Sequence, residues 1–186
     1  MSPADTPLAI LTADPDGFAL TDMGSGTFYE GPPSDCNVSR IIDIPMPPGD
    51  LVGILVGVPP LIQAAGSTIA WVQMGYHLMT LTNPTDRLEQ TLQIVSGPRG
   101  NHALRSVVWH AGSVLYDLRF MHWQPAGKGG PLLPREIRFA MPGQDSAVAL
   151  RYDSIAVDSA VDAGAFRQDP PPGFAVHHVD CPPSAP

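Results

Sequence analysis

Apolar and polar residues alternate with a period of two along most of the chain, and turn-forming residues interrupt the alternation at short intervals. Pro7–Ala13 is a short apolar run closed by Asp14-Pro15-Asp16-Gly17, a strong turn signal. Phe18–Met23 alternates, Gly24-Ser25-Gly26 turns the chain, and Thr27–Glu30 forms a third segment before Gly31-Pro32-Pro33. These three segments predict a meander. Further strands are predicted at Ser67–Val72, Tyr76–Thr82, Leu88–Val95, Leu104–His110, Ser113–Gln124, Pro134–Met141 and Ala147–Val157. In the last of these the apolar phase switches after Tyr152, which predicts a β-bulge near Asp153-Ser154.

Helical spacing occurs only between the third and fourth strands. Ser34 or Asp35 is placed to cap a short helix over Asn37–Ile42, which the prolines of Ile44–Pro48 terminate. Asp50 then opens a second helix over Leu51–Val56. Leu51, Ile54, Leu55 and Val58 share one face, and Gly57 sits where a left-handed residue ends a helix. Strands that follow one another so closely, with one helical interruption, exclude a βαβ parallel fold. The expected fold is mainly β: a curved antiparallel sheet, an open half-barrel of eight or nine strands. The two short helices inserted between the third and fourth strands cover its concave face. Residues 1–176 read as a single domain and 177–186 as a Pro-rich tail.

Composition refines this picture. Only 15% of residues are charged against 44% hydrophobic, so the chain has a core and a sparsely charged surface. The formal charge is −8 and no basic run occurs, which argues against nucleic acid as a partner. Leu51–Ile62, the most apolar stretch, is too short and too broken by Gly and Pro to span a bilayer. Cys36 and Cys181 are the only cysteines. They are either two unrelated thiols or one disulfide tying the tail to the body, and such a long loop would contribute roughly 5 kcal/mol in the chain-entropy model.

Candidate chemistry is sparse. Walker A, dinucleotide-binding and G-x-S-x-G motifs are all lacking. His110 and His122, on neighbouring predicted strands, could face each other, which leaves a hydrolase as the weakest reading. His177 and His178 are adjacent and would point to opposite faces of a strand. No catalytic residue, metal site or cofactor is nominated. The apolar side is the unusual feature, because one short helix cannot cover so many strands. Either a missing element covers the rest of the face or an apolar ligand does, and Leu51, Ile54, Leu55, Trp109, Tyr116, Leu118, Phe120, Ile137, Phe139, Leu150 and Tyr152 are the candidate groove residues.

From Pro7 to Pro60 the chain resembles the LolA/LolB-like lipoprotein-localisation superfamily, closest to its LolB-like branch. The likeness lies in PLAILTA, DGFALTDM and GTFYEG, the Ile44-Pro45-Met46-Pro47 segment, the helix with Leu51 and Leu55, and Gly57-Val58-Pro59. Leu133–Phe139, Val148–Val157, Ala165-Phe166 and Pro170–Gly173 continue it. The resemblance implies an unclosed half-barrel that binds lipid or lipoprotein acyl chains without catalysis, at the periplasm or outer membrane. A structural envelope lipoprotein of the same fold is the alternative. The family's signal peptide, long N-terminal helix and first strands have no counterpart before Pro7. The chain is therefore expected to be an N-terminally incomplete member, whose missing part would carry any membrane anchor, with a genuinely shortened relative as the alternative; in either case poor solubility as an isolated monomer is expected.

Overall fold

The computed structural model describes residues 9–14, 16–32, 34, 37, 48–162 and 164–180. The protein is mainly β, and its described part divides into two compact units. Residues up to Leu51 and from Ala160 onward form the first, and Val52–Ser159 form the second.

In the first unit, β1 (Ala9–Ala13), β2 (Phe18–Asp22) and β3 (Thr27–Gly31) form the expected antiparallel meander. Asp14 Oδ1 accepts the N–H groups of Asp16 and Gly17 at 2.8 and 3.0 Å, and Asp22 Oδ1 accepts that of Gly24 at 2.9 Å. These short acceptors make the two turns, as Asx chemistry requires. Phe28, wholly buried, and Phe18, 4% exposed, supply the apolar core. A strand from the C-terminal region, Ala175–His178, completes the sheet by pairing parallel to β3. His177 and His178, assigned to a tail, thus belong to a strand. His178 Nδ1 lies 3.2 Å from Glu30 Oε1, and the His177 ring lies 5.7 Å from that of Tyr29.

The helical region is described only in part. Ser34 Oγ accepts the Asn37 N–H at 3.2 Å, the bond expected of a cap, but the rest of the helix predicted over Asn37–Ile42 lies outside the described residues, as do Cys36 and Cys181. Helix α1 runs Pro48–Leu55. It begins two residues before Asp50, so Asp50 lies in the first turn instead of capping it; its charge still suits the positive end of the helix dipole. The C-terminus is a Schellman motif. Val58 N–H donates to Gly53 O at 2.8 Å, Gly57 N–H donates to Ile54 O at 2.9 Å, and Gly57 has φ +89°.

The second unit is built on a seven-stranded antiparallel sheet. Its strands are β4 (Gly66–Val72), β5 (Tyr76–Asn83), β6 (Leu88–Gly97), β7 (Gly100–His110), β8 (Ser113–Met121), β11 (Glu136–Met141) and β12 (Ser146–Arg151). They pair in the order β12-β11-β8-β7-β6-β5-β4, so the sheet is open at β12 and β4. A two-residue ladder joins β9 (Gln124–Pro125) to β10 (Leu132–Leu133) across the Gly-rich stretch. The strands are thus shared between a seven-stranded and a four-stranded sheet, where the alternation predicted one. The bulge expected near Asp153-Ser154 does not form, because β12 already ends at Arg151. Register shifts occur instead at Gln93/Ile94 and Val108/Trp109.

Cα register defines two faces of the sheet. Leu81, Gln90, Val108, Tyr116, Phe139 and Val148 lie on the apolar face, as do Leu92, Ser106, Leu118, Phe120, Ile137 and Leu150. Arg105, Asp117, Arg119, Glu136, Arg138 and Arg151 lie on the other.

Candidate functional site

The nominated groove residues separate into a filled core and its margins. Leu118 is wholly buried, Phe120 and Ile137 are 1% exposed, Ile54 3% and Phe139 7%. Tyr116 stacks on Phe139 with ring centroids 5.4 Å apart. These side chains fill the face they share, and none leaves space for a ligand. Leu55 and Leu150 lie at the margin, more than a third exposed, and Leu51 is half-buried on α1. Tyr152 donates its hydroxyl hydrogen to Leu55 O at 3.0 Å, satisfying a carbonyl that the helix end leaves open. Burial pushes the Tyr152 phenol above its ordinary range.

Trp109 does not join this group. It pairs with Glu89 on β6 and, across the bulge, with Val114 on β8, which directs it to the opposite face from Gln90 and Val108. There it lines a cavity of about 380 Å³ with Thr82, Pro84 and Arg87. His110 and His122 are also kept apart. His110 pairs with Ser113 at the start of β8, whereas His122 follows its other end, 3.8 Å from Glu136 Oε2.

The accessible apolar space lies beside the core, at the end of α1. A cavity of about 320 Å³ is bounded by Val56–Pro59, by Leu92 and Ile94 on β6, by Asn101–Ala103 on β7, and by Trp123 and Leu132. That volume lies at the small end of the ~300–1,000 Å³ typical of ligand pockets. The wall is built from the sequence upward. Gly57 turns the chain, and a Cβ there would collide with the Trp123 ring and with Pro134. The indole therefore packs directly on the glycine backbone. Gln90 fixes the next segment. Wholly buried on the apolar face, it accepts the Ile62 N–H at 3.0 Å and donates to Pro60 O at 2.7 Å and Ser106 Oγ at 2.9 Å. Sequence reasoning passed over Gln90 as one polar residue in an alternating strand. Its signal was its phase, since it falls on the same face as Leu88 and Leu92.

Two polar groups of this wall are unsatisfied. Trp123 Nε1 and His102 Nδ1 are buried without a hydrogen-bond partner, and their rings lie 4.8 Å apart. Burial pushes the His102 imidazole below its ordinary range, so it is neutral at pH 7. An unpaired buried polar group costs about 1–3 kcal/mol. His102 was not singled out in the sequence, because a lone histidine in an alternating strand carries no motif.

Beyond the cavity the apolar face continues uncovered to the edge of the sheet. Met79 pairs with Leu92 and with Ile69, which continues the face onto β4. Ile69 is 60% and Trp71 62% exposed. The first unit, by contrast, has a polar cleft of about 350 Å³ between Asp14–Ala19 and Phe166–Asp169. Arg167 spans it to Asp14 at 2.8 Å and Asp16 at 3.0 Å, and Gln168 donates to Ile10 O, Ala19 O and Thr12 Oγ1 while accepting from Thr21 Oγ1. These bonds occupy the cleft's polar groups and account for it as a clasp within the unit. Among the described residues, no three His, Cys, Asp or Glu side chains converge as metal ligands, and no helix is long and apolar enough to cross a membrane.

The fold and the cavity define a mainly β protein with a partly uncovered apolar face. No protein-family model matches the chain, and no curated protein matches it.

Proposed function

We propose that this protein binds acyl chains of lipids or lipoproteins without catalysing a reaction. The observation that carries this reading is the cavity at the end of α1, whose wall residues Leu92 and Ile94 lie on the same sheet face as the exposed Ile69 and Trp71. Burying a hydrocarbon chain there needs only dry surface, at about 0.8 kcal/mol per CH₂. The unpaired indole N–H would donate to a carbonyl or carboxyl oxygen at the head of the chain. The setting, transport of lipoproteins through the periplasm or their insertion at the outer membrane, follows from the LolA/LolB-like resemblance of the sequence.

A structural envelope protein of the same fold is the second reading, and the dense packing of Leu118, Phe120 and Ile137 favours it. Titration with an environment-sensitive fluorescent fatty acid separates the two. Saturable binding is expected, and it should weaken at least tenfold in Val58→Glu, which puts a charge at the cavity wall on a residue already 59% exposed. Lack of saturable binding, or binding indifferent to Val58→Glu, would leave the structural reading.

A further inference from the structure

The polar face of the seven-stranded sheet carries a concentration of positive charge that ion pairing among the described residues does not balance. Cα register makes Arg105 on β7, Arg119 on β8 and Arg138 on β11 direct cross-strand neighbours. Like charges directly opposite one another destabilise a sheet. Two carboxylates offset the repulsion. Asp117 accepts Arg105 Nε and Nη2 at 2.8 and 2.7 Å and Arg119 Nη2 at 2.8 Å. Glu136 accepts Arg138 Nε at 2.6 Å and lies 3.3 Å from Arg151 Nε. Four guanidiniums meet two carboxylates, so the cluster keeps an excess of two positive charges in a chain whose formal charge is −8.

The arrangement presents that excess outward. The Asp117 and Glu136 side chains are only 15% and 8% exposed, whereas those of Arg119 and Arg138 are 51% and 55% exposed. Arg138 engages Glu136 through Nε, and its terminal nitrogens have no protein partner among the described residues. Beside Arg119 and Arg138 lies a concavity of about 290 Å³, bordered by Ala140, Ala147 and Ala149. Register sets Ala149 directly opposite Arg138 and Ala147 opposite Ala140. Small side chains therefore leave room where a guanidinium fork can close on a ligand.

We propose that this arginine row binds a phosphate monoester over the alanine floor, held by the terminal nitrogens of Arg138 and by the remaining Nη1 of Arg119, whose Nε and Nη2 are engaged by Asp117. Guanidinium forks match phosphate oxygens in bidentate geometry. A monoester carries about −1.5 to −2 charge at neutral pH, which matches the excess of the cluster. The site lies on the opposite face from the acyl cavity and does not depend on it.

The test is calorimetric titration of the full chain at low salt with phenyl phosphate and with inorganic phosphate. Co-sedimentation with phosphatidylcholine vesicles containing phosphatidic acid or phosphatidylglycerol runs alongside. Binding of the soluble phosphates identifies a free ligand. Binding to phosphatidic acid vesicles alone identifies a lipid headgroup, and either result supports the proposal. Arg138→Gln should lower affinity at least tenfold. Ala149→Glu should do the same while removing no native contact, because it sets a carboxylate opposite Arg138. Arg99→Gln, in the exposed β6–β7 turn, should leave binding unchanged. Equal binding to phosphatidylglycerol vesicles, the lack of binding in every arm, or indifference to both variants would overturn it.

Discussion

At Gly57 a backbone φ of +89° and the close approach of the Trp123 indole together exclude a side chain. The left-handed conformation alone costs an L-residue about 1–2 kcal/mol, so Gly57→Ala, which must also displace the indole, should destabilise the protein by about 2 kcal/mol or more in denaturant unfolding. Gln90 is the second critical residue. Its three hydrogen bonds tie Pro60 and Ile62 to the sheet, and its loss leaves buried partners unpaired. Gln90→Ala should cost about 2–4 kcal/mol and raise hydrogen exchange at the Ile62 amide. The third prediction concerns acid. Burial pushes the Asp117 carboxyl up, but hydrogen bonds from Arg105 and Arg119 outweigh it and hold the pKa at about 2. The bond from Arg138 likewise holds the Glu136 carboxyl below its ordinary range. A depressed carboxylate pKa stabilises the fold fully above the ordinary carboxylate range, and that contribution is lost as pH falls toward about 2. Unfolding followed from pH 6 to pH 2 should show this loss, with a shallower slope in Asp117→Asn.

Among the strands of the larger sheet, β4 is the most exposed. Among the described residues it pairs only with β5, its first six residues are exposed, and Ile69 and Trp71 project from it at 60% and 62% exposure. An exposed apolar edge strand is a template for pairing with another chain. Trp71→Lys should change stability by no more than about 0.5 kcal/mol, as is usual for surface sites, yet reduce self-association measured by sedimentation velocity. The elements also show what was legible in the chain. Period-two alternation located the strands, because β5, β6, β7, β8 and β11 of the larger sheet turn one face to a core and the edge strands β4 and β12 keep the same alternation without being buried. Alternation says nothing about partners, so the division into two sheets was not legible. The strand Ala175–His178 escaped notice because all four residues are exposed, so no apolar alternation marks it. Trp109 keeps the plain alternation of β7, opposite to Val108, and the bulge at Val108/Trp109 instead turns Val114 away from the face of Tyr116, a shift that depends on both strands and leaves no mark in either alone.

For the whole molecule, the apolar face was correctly sensed and only partly correctly interpreted. A filled core and an open groove produce the same alternation, and Leu118, Phe120 and Ile137 prove to be core. The cavity depends instead on Gly57, Trp123 and His102, which meet through tertiary packing and share no local pattern. The central claim is that this cavity takes an acyl chain, and its most direct test is the affinity of the full protein for saturated fatty acids of increasing length. Each added methylene should strengthen binding by about 0.8 kcal/mol, roughly fourfold, until the cavity is filled. Affinity independent of chain length, or no binding at any length, would contradict the account.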